Sequence, residues 1–118
     1  MPKEQIEKLT SDYQALQEQL QALALQKAQF MEQKEELSMA LEEINKAKGK
    51  VYSAIGGVMV ETTREEAVKN VKERQDSAEM RLSIVNKQYD EAVKKEKALR
   101  EQIEGMLKAD GGGKAVTS

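Results

Sequence analysis

The feature that most constrains this chain is a heptad repeat running from residue 6 to residue 44. Leu9, Leu16, Leu23, Phe30, Leu37 and Ile44 recur at every seventh position. A companion set holds Ile6, Tyr13 and Leu20, then Lys27 and Lys34, then Leu41. No Gly or Pro interrupts residues 3–46. Apolar side chains spaced by three and four line one stripe of a helix, and a stripe sustained this long belongs to a coiled-coil seam. The two lysines in the seam leave two readings open. Their stems can cover apolar surface while the ammonium groups reach water, or the polar positions can fix partner and register.

A second repeat follows. Val71, Ala78, Val85, Ala92, Leu99 and Met106 are again seven apart, with Val68, Gln75, Leu82, Tyr89, Glu96 and Ile103 as companions. Thr63-Arg64-Glu65-Glu66 just before it reads as a capping box, in which Thr63 accepts from a free backbone N–H and Glu66 reaches back to the cap. Gly105 weakens the last turn and Asp110-Gly111-Gly112-Gly113 ends it. The expected helices span about 3–46 and about 64–107, within a single domain of residues 1–110; residues 111–118 are expected to be a disordered tail. Two arms of equal length joined by a short connector can zip together along their whole length as an antiparallel pair. A parallel homodimer is the alternative, but it has no use for the match in length. The composition agrees: 34% of residues are charged, 3% are aromatic, and there is one Pro and no Trp, which suits a narrow seam better than a globular core.

The period changes in the connector, about residues 50–62. Val51-Tyr52-Ser53-Ala54-Ile55 and Val58-Met59-Val60-Glu61-Thr62 are rich in strand formers, and Gly56-Gly57 separates them. This is the pattern of a hairpin with a two-residue turn, whose central residues both need positive φ. In that register Ile55 faces Val58 and Ser53 faces Val60. Val51, Ser53, Ile55, Val58 and Val60 share one face, and Tyr52, Ala54, Met59 and Glu61 share the other. The fold class expected is therefore mainly α: a long antiparallel two-helix coiled coil with one connecting β-hairpin at its base. A lone hairpin is marginal in water, and its open edges pair with other strands unless covered. Val51, Tyr52, Ile55, Gly56, Gly57, Val58, Met59 and Val60 are thus the candidate assembly residues. The competing reading has the hairpin fold down over its own coiled coil.

The chain has no His and no Cys. The commonest general base, the thiol nucleophile, disulfides and most zinc sites are thereby lost, so no catalytic residue, metal or cofactor is expected. No P-loop pattern suggests ATP use. Glu35-Glu36 and Glu42-Glu43 are sequence neighbours that point about 100° apart on a helix, and read as solvated face. The formal net charge of −2 and the mixed run Lys94-Lys95-Glu96-Lys97 give no case for nucleic acid. No window approaches a membrane span. The start, MPKEQIEK, carries no apolar stretch of the signal-peptide kind, so the expectation is an intracellular chain.

A heptad arm, the stretch Val51 to Thr63 and an equal second arm together resemble the β-type subunit of prefoldin. The resemblance covers residues 3 to about 107. Its most specific part is V-Y-x-x-x-G-x-x-x-V-x-T-T-x-E-x-A, from Val51 to Ala67. The family's α-type subunit has a longer connector with two hairpins, and this chain has room for one. The resemblance implies a cytoplasmic, ATP-independent holdase, built as a hexamer of two α-type and four β-type subunits whose hairpins form a β-barrel platform. It further implies that the coiled-coil tips partly unwind, bind unfolded polypeptide clients and pass them to a group II chaperonin. Mapped onto this chain, the tip holds Ile6, Leu9, Tyr13, Ile103, Met106 and Leu107. Gly105 and the nearby chain ends make that region the most prone to fray, and Met106 suits promiscuous contacts. The competing reading makes these ordinary last-layer seam residues. For the whole chain, the alternative is a structural scaffold or tether. An enzyme would need a pocket that two thin arms can hardly enclose.

Overall fold

The computed structural model describes residues 2–109. Helix α1 spans Pro2–Lys46, strands β1 and β2 span Val51–Ile55 and Val58–Thr62, and helix α2 spans Arg64–Leu107. This is the expected arrangement of two long helices with one antiparallel hairpin between them. The tail expected to be disordered, residues 111–118, lies outside the described residues.

The start of α2 follows from its cap. The Glu66 backbone N–H donates to Thr63 Oγ1 at 3.1 Å, and the Thr63 carbonyl accepts the first helical bond from the Ala67 N–H at 3.0 Å. The Thr63 side chain thus satisfies one of the N–H groups left unpaired at the helix end. Glu65 and Glu66 in the first turn face the positive end of the helix dipole. Past Leu107, Lys108 and Ala109 continue in a wider π-type turn.

Packing divides the chain into two units. The first comprises residues up to 25 and from 85 onward. Its buried side chains are Leu16 and Leu23 from α1 and Val85 and Ala92 from α2. Every other heptad position in it, from Ile6 to Leu20 and from Tyr89 to Met106, is half-buried. A polar cluster interrupts the apolar seam. The Tyr13 hydroxyl donates to Glu96 Oε2 at 2.6 Å and accepts from Gln17 Nε2 at 2.8 Å, while Arg100 Nε lies 3.3 Å from the same carboxylate oxygen.

The second unit comprises residues 26–84, with the hairpin and the helix segments that lead into and out of it. Here Ala78 is the buried seam residue among those described, and the remaining heptad positions, Lys27 and Lys34 included, are half-buried. Lys34 Nζ lies 3.5 Å from Glu79 Oε1, and Gln75 Nε2 donates to Ser38 Oγ at 3.2 Å. A step of four residues up α1 meets a step of four down α2, which is the antiparallel sense. The Lys34 stem thus covers the seam while its charge reaches a partner at the rim, where an exposed pair contributes little to stability.

Candidate functional site

The hairpin has the register that its sequence implies: Val51 opposite Thr62, Tyr52 opposite Glu61, Ser53 opposite Val60, Ala54 opposite Met59 and Ile55 opposite Val58. Gly56 and Gly57 have φ of 54° and 83°. This is a type I′ turn, whose twist matches that of the strands. A Cβ at either glycine would meet nothing within 4 Å, so the requirement for glycine there is torsional and not steric. Lys50 Nζ and Glu61 Oε1 approach to 3.5 Å at the start of the hairpin.

Only the root of the hairpin is covered. Val51, Ser53 and Thr62, which share one face, are half-buried. Beyond them Ile55, Val58 and Met59 are 62%, 61% and 65% exposed, and Tyr52 and Val60 are exposed as well. A cleft of 220 Å³ stays open between the hairpin and the helices, lined on one side by Tyr52, Ala54 and Thr62 and on the other by Ile44, Val71 and Arg74. Both faces therefore carry uncovered apolar side chains. The sheet has two strands, so each has an outer edge with no strand beside it among the described residues. Large apolar side chains on both sides of an unpaired two-stranded sheet are the usual marks of a surface that another chain covers.

The second candidate site lies in the first unit. Leu107 is exposed, while Ile6, Leu9, Tyr13, Ile103 and Met106 are half-buried in the seam. Tyr13 is further tied down by its bonds to Glu96 and Gln17. The Glu96 carboxylate, by accepting a hydrogen bond from the protonated phenol, raises the Tyr13 pKa above its ordinary value of 10.0. A folded-state pKa above the unfolded one means that the bond's contribution is complete below about pH 10 and is lost as the pH rises through the raised value. Tyr13→Phe should accordingly melt below the parent at neutral pH. The gap between the two melting temperatures should close on going to alkaline pH, and a gap that stays constant across that range would remove the proton from the account.

Sequence reasoning missed this polar cluster. The signal was available in Glu96, a polar residue at a seam position that needs a partner from the opposite helix. Also unremarked were the large apolar residues outside the seam. Leu25, Met31, Met39, Met80, Ile84 and Val93 are all exposed. The described residues contain no group of acidic, His or Cys side chains placed to hold a metal ion, and no described helix is long and apolar enough to cross a membrane.

Two long helices with heptad seams and a two-stranded antiparallel hairpin between them define the class of protein to which this fold belongs. The chain belongs to the prefoldin subunit family, whose model matches residues 7–110. Within it the similarity is to beta subunits. The chain is 35% identical over 105 residues to the prefoldin subunit beta of Methanosarcina acetivorans, covering 87% of this chain and 90% of that one. It is 31% identical over 111 residues to the prefoldin subunit beta of Pyrococcus furiosus, covering 92% and 95%. The crystal structure of the prefoldin beta subunit from Thermococcus strain KS-1 superposes with a TM-score of 0.81 at 30% identity, covering 87% of this chain and 92% of that one. The family is one of chaperones, and the chain shares its fold and its subunit character.

Proposed function

We propose that this chain is one leg of a heteromeric, ATP-independent holdase, joined to an α-type subunit and to further copies of itself through the hairpin. The observation that carries the reading is the hairpin: Ile55, Val58 and Met59 stand more than half exposed, on a sheet whose outer edges have no strand beside them among the described residues. Strand addition at those edges would satisfy the unpaired backbone groups, and apolar side chains from neighbouring hairpins would cover both faces. The expected stoichiometry is two α-type and four β-type subunits. Residues Ile6, Leu9, Tyr13, Ile103, Met106 and Leu107 are the client-binding set, which reaches an unfolded polypeptide when the helix ends open. Release to a group II chaperonin and a cytoplasmic location complete the proposal. No cofactor, metal or catalytic group enters it.

Native mass spectrometry of the chain alone and mixed with an α-type subunit tests the assembly half. A mixed hexamer is expected. A stable homodimer indifferent to that subunit would instead make the chain a scaffold. The holding half is tested by suppression of aggregation of a chemically unfolded protein, with and without the α-type subunit and without nucleotide. The mixed complex should suppress aggregation without nucleotide, and a requirement for ATP would overturn the holdase reading.

A further inference from the structure

The outward face of α1 in the second unit carries a surface that neither the seam nor the hairpin accounts for. Met31 and Met39 are 53% and 60% exposed. With Lys34, Ser38 and, from α2, Leu82 they line a shallow groove of 420 Å³, which Glu35 and Glu42 border as well. The two methionines lie eight residues apart, about 12 Å along the helix. Met39 falls where a heptad points directly away from the partner helix, the position at which a coiled coil has least use for an apolar side chain.

The charge beside the groove is mainly acidic. Glu35 and Glu42 line it and Glu32 stands one heptad before Met39, against Lys34 as the lining cation, while Glu36 and Glu43 point about 100° further round the helix. Lys34 lies at the seam and reaches Glu79. Lys46 offsets Glu42 alone, at 3.1 Å between two exposed side chains. No ion pair among the described residues holds Glu32, Glu35, Glu36 or Glu43. Clustered like charges raise the local potential and attract a counter-charged partner. Flexible, polarizable methionines accept apolar side chains of varied shape.

We propose that this groove docks a basic amphipathic segment of another protein, with its apolar anchors on Met31, Met39 and Leu82 and its Lys or Arg side chains against the glutamates. The surface is too small for a folded globular partner, whose stable interface buries upward of about 1,000 Å². It suits a single helix or extended segment read by a few anchors. The docking is separate from hairpin assembly and from the helix-end residues, and it does not depend on either.

The test uses the full chain and a fluorescein-labelled amphipathic peptide with one Leu face and one Lys face, alongside a control peptide with Glu in place of Lys. The basic peptide should bind, and its binding should weaken several-fold or more as salt is raised from about 50 to 300 mM. Met31→Ser with Met39→Ser, and separately Glu35→Lys with Glu42→Lys, should each weaken it by about tenfold or more. These residues are exposed, so circular dichroism and mixing with the α-type subunit should report intact folding and assembly. Equal binding of the acidic peptide, or unchanged binding by both double variants, would overturn the proposal. So would salt-sensitive self-association that the same substitutions abolish, since the occupant would then be a second copy of this chain.

Discussion

Val58→Asp is expected to abolish assembly with an α-type subunit while leaving the helical circular dichroism signal almost unchanged. In the free chain Val58 is 61% exposed and opens strand β2 directly opposite Ile55. A carboxylate there remains in water, so the cost to the isolated subunit is limited to weaker strand propensity, below about 1 kcal/mol. In an assembled platform the same carboxylate would be buried among apolar side chains without a counter-charge, at several kcal/mol per copy. A repeated interface multiplies that cost, so the mixed complex should vanish from native mass spectra. Mixed complexes of normal yield would show that the hairpin is not the joining element.

Replacing Ile103 and Met106 together by Ala should lower the capture of an unfolded protein severalfold, with a stability loss of about 1 kcal/mol for each half-buried side chain. Leu23→Ala supplies the contrast. Leu23 is 7% exposed in the same unit, and its truncation leaves a void between two helices, at about 2–4 kcal/mol by urea unfolding. Its effect on capture should be no larger than the lost stability explains. The two outcomes separate binding residues from seam residues: a binding residue loses capture out of proportion to stability. Equal stability losses at Leu23 and at the helix-end pair, with capture following stability in both, would make Ile103 and Met106 plain seam.

Much of this was legible beforehand because the signals are local. A heptad run such as Leu9 to Ile44 needs only its own spacing to define a helix and its buried stripe, and each residue of both runs is in fact buried or half-buried. Gly56-Gly57 determines the hairpin register through two torsion angles. Thr63 caps α2 through bonds that span three or four residues. The candidate sites were less legible. Tyr13 was placed by sequence among apolar contact residues, yet its hydroxyl is committed to Glu96, 83 residues away. The groove at Met31 and Met39 was invisible to a search that counted only seam positions.

What the sequence by itself determined is therefore the set of elements and the face each one buries, since periodicity and turn chemistry act over a few residues. What only the tertiary structure decided is which polar groups meet across the helices and which apolar ones remain uncovered. Tyr13 finds Glu96 and Gln75 finds Ser38 through the stagger of one helix on the other, a quantity that no single helix encodes. Ile55, Val58 and Met59 stay exposed because no other part of the described residues covers them. Exposure is a property of what lies nearby, and that is settled only when the whole chain has packed.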